Sequence, residues 1–263
     1  MNAIGLIRRY LKYYFTSKTK FKIHSPFVYD FITNVLEDNT AYNEYQIAKL
    51  LFNNLSQDDN VIEVADFGAG ATSFPYSSSL KRISKMAQRS SIKSKYGELL
   101  FRIVKYYKPE TIIEVGTSLG ISTTYLALSN PLTKIISLEG CSNTAAKARE
   151  NFDQLKLKNI EQIIGNADIF LSKLCKKTDK IDFVFFDANH KKKPTIEYFE
   201  QCLEKSHNDT IFVFDDINWS SGMVQAWDYI KNHQKVKLTI DIFFLGIVFF
   251  KKELSKENFT LKF

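Results

Sequence analysis

The sequence predicts an α/β protein: a doubly wound, seven-stranded, mostly parallel sheet with an antiparallel last strand, preceded by a helical N-terminal extension. Three observations predict it. From Ile92 onward, short apolar runs alternate regularly with helical patterns. These runs are continuously apolar rather than apolar at every second residue, which marks strands covered on both faces by helices. The last two runs are separated by only Phe244 and Leu245. A parallel crossover takes about a dozen residues or more, so this final pair is antiparallel.

The elements follow in order. Ile4, Ile7, Leu11, Tyr14 and Phe15 recur at helical spacing, with Arg8, Arg9 and Lys12 on the other side. That helix either docks on its own protein, the favoured reading, or lies on an acidic membrane surface. Ser25-Pro26 is an N-cap followed by proline at the first helical position, opening a helix through about Leu36. A third helix covers Glu44–Asn54, and together these give residues 1–92 as a helical extension or cap. Residues 93–263 form the main domain, which opens with a helix at Tyr96–Tyr107. Its strands are Thr111–Val115, Lys134–Leu138, Ile160–Ile164, Ile181–Phe186, Thr210–Phe214, Lys237–Phe243 and Gly246–Phe250, with a helix at Trp219–Asn232 before the last two.

Bulk composition narrows the class. A chain of 263 residues, 44% of them hydrophobic, can bury a core. It contains no run of about 18 apolar residues and no signal-peptide pattern, which predicts a cytoplasmic protein without a transmembrane segment. Cys141, Cys175 and Cys202 are odd in number and far apart, so they suggest neither a disulfide framework nor a zinc site. The net charge of +7 favours anionic partners in general. Nucleic acid is the less favoured of these, because the lysines are scattered and no aromatic-basic RNA-binding signature is present. The aromatic-rich pair within Ile240–Phe250 is a candidate homodimer face or a sheet edge.

Ligands of open α/β sheets bind beyond the carboxyl ends of the strands. After the first strand stands Glu114-Val115-Gly116-Thr117-Ser118-Leu119-Gly120. Gly116 and Gly120 permit a tight turn, and the following helix aims its N-terminal amides at that point, which suits a carboxylate. The spacing is neither that of dinucleotide binders nor a P-loop, which disfavours NAD and ATP. Glu139 ends the second strand, 25 positions after Glu114, where a carboxylate can accept hydrogen bonds from both hydroxyls of a ribose. Gly165-Asn166-Ala167-Asp168, after the third strand, is small and polar enough to border an adenine.

The segments IIEVGTSLGISTTYLA, SLEG, GNAD, FVFFDANH and FVFDDINW, in this order, resemble the motifs of S-adenosylmethionine-dependent O-methyltransferases of the catechol and caffeoyl-CoA type. The resemblance covers roughly residues 95–250 and rests on order and spacing. It implies a class I methyltransferase in which Gly116, Thr117, Ser118 and Gly120 surround the methionine part of S-adenosylmethionine. Glu139 would hold the ribose, Ala167 and Asp168 would flank the adenine, and Glu114 would orient the amino group or the loop. The similar text Asp66-Phe67-Gly68-Ala69-Gly70 fails on context, since no strand ending in an acid follows it at the right distance. It reads as a glycine-rich loop, a lid or a plain turn.

Asp187, Asp215 and Asp216 gather at the ends of the fourth and fifth strands, a hard-oxygen set suited to Mg²⁺ or another divalent cation. The resembling family holds its cation with Asp, Asp and Asn, so Asp216 departs from the pattern and leaves occupancy open. Asn218 is a spare ligand. On the alternative reading Asp215 and Asp216 cap the next helix and Asp187 contacts S-adenosylmethionine. His190 stands where the family often carries a lysine base, and a neutral imidazole can take the same proton. In a run with Lys191, Lys192 and Lys193 it also fits a plain surface position, while His24, His207 and His233 lack a supporting constellation. Trp219 is a candidate wall for a flat substrate, and Trp227 a core residue. The expected activity is methyl transfer to an oxygen of a small-molecule acceptor. The alternatives are an RNA or protein methyltransferase, or a non-catalytic S-adenosylmethionine-binding protein.

Overall fold

Strand and helix alternate through the computed structural model much as the apolar runs predict. It describes residues 3–66 and 77–263. Clustering of the backbone divides the chain into two units: Glu37–Phe170, and Met1–Leu36 together with Leu171–Phe263.

The chain begins with helix α1 (Ala3–Thr16). The face it docks with is not the predicted apolar stripe. Tyr13 is buried, its Oη donating to the Leu261 carbonyl at 2.7 Å and accepting from the Phe263 N–H at 3.1 Å. Tyr10 and Tyr13 pack on Phe243 with ring centroids at 5.0 and 5.4 Å. Helix α2 (Pro26–Phe31) starts as expected, with Ser25 Oγ accepting from the Val28 N–H at 3.4 Å. It continues into a π-helical turn over Ile32–Leu36.

In the unit Glu37–Phe170, helix α3 (Asn43–Gln57) leads to strands β1 (Val61–Asp66) and β2 (Ser77–Arg82), an antiparallel pair. The expected all-helical extension therefore contains a sheet. The polar, serine-rich β2 carries no strand signature of its own, and pairing with β1 makes it one. Helices α4 (Ile83–Ser90) and α5 (Ser94–Tyr107) follow. Next come β3 (Thr111–Val115), α6 (Ile121–Ser129), β4 (Lys134–Glu139), α7 (Ser142–Gln154) and β5 (Ile160–Ile164), with β3–β4 and β4–β5 parallel. Tyr45, Leu51, Ile83, Phe101, Leu119 and Tyr125 form one buried cluster of this unit.

Helix α8 (Ala167–Lys177) begins in that unit and ends in the other, where β6 (Ile181–Phe186), α9 (Lys192–Leu203), β7 (Ser206–Phe214) and α10 (Ser221–Asn232) follow. Strands β8 (Leu238–Asp241), β9 (Gly246–Phe249) and β10 (Glu257–Thr260) complete the chain. β6–β7 and β8–β10 are parallel, and β9 is antiparallel to both β7 and β8. The seven strands expected after Thr111 become eight. The extra one, β10, is a short polar edge strand that pairing alone reveals.

Strand β7 also starts four residues early. Its polar first residues are held by Thr210 Oγ1 donating to the Ile181 carbonyl at 2.5 Å and by His207 Nε2 at 2.9 Å from Asp182 Oδ1. His207 thus has a partner the sequence did not suggest. The segment Ile240–Phe250 is not a sheet edge. β9 lies between two strands, and Ile240, Phe243, Leu245, Ile247 and Phe250 are buried within this chain. Among the described residues, no helix is long and apolar enough to cross a membrane.

Gly120 fixes how α6 leaves its turn. Its φ is +81°, and an added Cβ would lie 2.4 Å from the Phe152 ring. Gly222, in the first turn of α10, meets nothing nearer than 3.6 Å. Gly120→Ala should therefore destabilise by roughly 1–3 kcal/mol through backbone strain and overpacking. Gly222→Ala should be neutral or stabilising by up to about 1 kcal/mol. Urea unfolding midpoints of the two variants check this opposition.

Candidate functional site

At the carboxyl ends of parallel strands, helix N-termini and unpaired backbone amides converge, which is where such sheets bind ligands. After β3 the chain turns through Gly116, at φ 106°, and Ser118, at φ 49°. The N–H groups of Gly116 and Thr117 both donate to the Leu138 carbonyl at 3.0 and 3.2 Å. Thr117 Oγ1 lies 2.5 Å from Ser137 Oγ. Glu114 is fully buried and accepts from Ser122 Oγ at 2.7 Å and from Thr123 Oγ1 and Ser137 Oγ, each at 2.5 Å. It therefore joins β3, β4 and the first turn of α6, and these contacts set the shape of the loop.

Glu139 closes this arrangement. Its Oε2 accepts from the Ser118 N–H at 2.8 Å and its Oε1 from the Cys141 N–H at 2.9 Å. The glycine turn and the acid at the end of β4 thus meet at one point. The Glu139 carbonyl takes the Gly165 N–H at 2.8 Å, which brings the next loop alongside. Ala167 and Asp168 open α8 there, half-buried, and the Asp168 N–H donates to Asn166 Oδ1 at 2.9 Å.

Strand β1 reaches the same neighbourhood. Asn143 Nδ2 donates to the Glu63 carbonyl at 2.8 Å, and Cys141 Sγ accepts from the Ala65 N–H at 3.4 Å. Burial pushes the Cys141 thiol up, but hydrogen bonds from Thr144 and from backbone N–H groups outweigh it and hold its pKa below the ordinary value. Of the glycine-rich run 66–70, residues 67–70 lie outside the described residues.

The other unit carries the acids. Asp187, His190 and Asp215 each place one ligand atom within 4.8 Å of the others. His190 Nε2 is 3.4 Å from Asp187 Oδ1. Burial pushes the His190 pKa down, but the hydrogen bond to Asp187 and the charges of Asp187 and Asp216 outweigh it, so the net shift is upward. Asp215 is pushed well above the usual carboxylate range, first by burial and then by repulsion from Asp187 and Asp216. Asp216, expected in the ligand set, is not part of the trio. The chain turns left-handed there, at φ 54°. Asn189 and His190 share that uncommon backbone region, at φ 66° and 35°.

Asn218, the spare ligand of the sequence reading, donates its side-chain amide to the Phe243 carbonyl at 2.8 Å. Its own carbonyl and that of Trp219 accept from the Arg9 guanidinium at 2.9 and 3.2 Å. No sequence signal joins positions 209 apart, so this role of Arg9 was illegible. Trp219 is 39% exposed, whereas Trp227 is buried in the core as expected.

Residues 113–217 match the family described as a methyltransferase domain. The chain is 32% identical to a catechol O-methyltransferase of Niastella koreensis over 130 residues, 48% of this chain and 58% of that protein. It is 31% identical to the O-methyltransferase imqG of Aspergillus flavus over 131 residues, 48% of this chain and 52% of that protein. The chain thus spans between half and three-fifths of the length of these curated relatives. An O-methyltransferase of Bacillus cereus, solved in complex with SAH, superposes with a TM-score of 0.56 at 20% identity, covering 84% of this chain and 96% of that one. At that identity the likeness shows the fold. The matched segment includes the Glu114, Glu139, Asp187 and Asp215 positions.

The His190–Asp187 pair sets a pH response. Its folded-state pKa is raised, so the stability it contributes is full below about pH 6.5, the ordinary histidine value, and is lost as pH rises through the elevated value. In chelator-treated protein, an NMR titration of the His190 ring should give a midpoint above 6.5 that falls in Asp187→Asn. An unchanged midpoint in that variant contradicts the assignment.

Proposed function

We propose that this protein is a cytoplasmic enzyme transferring the methyl group of S-adenosylmethionine to an oxygen of a small hydroxylated acceptor. The observation that carries the reading is the 2.8 Å contact between the Ser118 N–H and Glu139 Oε2, which brings the glycine turn and the ribose-type acid to one place. The names of the two O-methyltransferase relatives favour oxygen as the nucleophile.

In this reading Gly116, Thr117, Ser118 and Gly120 border the methionine part of the donor. Glu139 accepts from the ribose hydroxyls, and Ala167 with Asp168 lines the adenine. Residues 1–92 form an extension or cap to the domain at 93–263. The donor, when bound, supplies an electrophilic methyl group on a positively charged sulfur. His190 takes the acceptor's hydroxyl proton while the oxygen–carbon bond forms and the carbon–sulfur bond breaks. Because Asp187 favours protonated His190, this base is freed as pH rises.

A divalent cation fits the chemistry of the acidic group. Asp187 and Asp215 are hard oxygen donors close together, and a cation relieves the repulsion that pushes Asp215 up. Held there, it would lower the pKa of an acceptor hydroxyl.

Isothermal calorimetry with S-adenosylmethionine tests the reading. Hydrogen bonds to a charged group contribute roughly 1.5–3 kcal/mol, so Glu139→Ala should bind at least about tenfold more weakly than the natural protein. Equal binding, or none by the natural protein at high micromolar concentration, overturns it. In the same preparation, turnover that survives complete chelation of divalent ions removes the cation from the mechanism.

A further inference from the structure

Helix α1 is fixed by one face and bare on the opposite one. At about 100° per residue, Leu6, Arg9 and Tyr13 fall together, and these are the positions drawn into the protein. Ile4, Ile7, Leu11 and Phe15 fall on the other side, and they are 79, 60, 49 and 79% exposed. Phe21, in the 3₁₀ turn Lys20–Lys22 that follows, is 86% exposed. Helical periodicity alone would direct that stripe into the core. The bonds of Arg9 to Asn218 and Trp219, and of Tyr13 to Leu261 and Phe263, turn it outward instead. Frayed-end exposure does not account for Ile7 and Leu11, because Arg9, Tyr10 and Tyr13 tie down this part of the helix.

The charge around the stripe is of one sign. No aspartate or glutamate occurs before Asp30, and Arg8, Lys12, Lys18 and Lys22 are exposed on the same segment. An apolar face flanked on one side by Arg8 and Lys12 and followed by Lys18 and Lys22 matches an anionic lipid surface, where the apolar side chains enter the acyl boundary and the cations meet headgroup phosphates. A second copy of this chain fits less well. A two-fold contact through the stripe would set each basic flank against its equal, with no acid on the segment to offset it.

We propose that α1 and the turn after it seat this protein on the surface of a membrane rich in anionic lipid, as a peripheral and reversible attachment. The inference is independent of the reaction proposed above, because none of the stripe residues belongs to either candidate site.

Co-sedimentation with vesicles tests it, using phosphatidylglycerol mixed into phosphatidylcholine against phosphatidylcholine alone. The expected result is pelleting with the anionic vesicles, at least about tenfold weaker with the zwitterionic ones, and weakened by added salt. Ile7→Ser with Leu11→Ser should lower partitioning by at least about tenfold, as should Arg8→Glu with Lys12→Glu. These side chains are exposed, so the melting temperature should not move, and that measurement separates lost attachment from lost folding. No pelleting with anionic vesicles, or pelleting indifferent to both double variants, overturns the proposal. So does a natural protein that sediments as a dimer in solution and becomes monomeric in Ile7→Ser with Leu11→Ser, since the stripe is then a self-association face.

Discussion

A carboxylate held by two backbone N–H groups ties two consecutive crossovers together. Glu139 takes the Ser118 N–H at 2.8 Å and the Cys141 N–H at 2.9 Å, so the loop after β3 and the start of α7 share one anchor. Everything proposed for the donor half depends on that contact. It could not form if the glycine turn were shaped otherwise, and the turn is in turn shaped by Glu114 beneath it. There the buried acid gathers three hydroxyls from β4 and α6. Hydroxyl donors can partly replace water around a buried carboxylate, which is otherwise costly to bury. The arrangement has two levels: an inner acid, Glu114, that organises the loop, and an outer acid, Glu139, that ties the loop to the start of α7.

The second unit solves a different electrostatic problem. Asp187 and Asp215 lie close enough to repel: burial, then the charges of Asp187 and Asp216, push the Asp215 pKa up, and His190 stands beside Asp187. Such a cluster responds strongly to whatever positive charge arrives, whether a proton or a divalent cation. The loop that follows is braced from a distance by Arg9. Left-handed backbone at Asn189, His190 and Asp216 marks the same loops as sterically constrained, as is common where side-chain direction is functionally set.

Much of this was legible in the sequence, for stated physical reasons. Strands β3 and β6 coincide with their apolar runs, because a strand covered on both faces announces itself by continuous apolarity. The Ser25 cap and the antiparallel β8–β9 pair followed from local chemistry and link length. What stayed hidden depends on partners distant in sequence. β2 is polar and is a strand only against β1, β10 only against β8, and the start of β7 only through Thr210 and His207. Asp216 is expected in the ligand set from its place at the end of the fifth strand and from the resembling family's third ligand, whereas the trio brought within 4.8 Å is Asp187, His190 and Asp215. The apolar stripe of α1 was seen, but which way it faces is decided by Arg9 and Tyr13, whose partners lie more than 200 positions away.

The central claim is that the turn at 116–120 and the acid at 139 serve one nucleoside-containing ligand. Hydrogen–deuterium exchange, measured with and without S-adenosylhomocysteine, addresses it most directly because it reads backbone amides at both places at once. The account predicts that peptides covering 114–122 and 139–142 slow together on ligand addition. Protection confined to one of them, or found elsewhere while both remain unchanged, would contradict it.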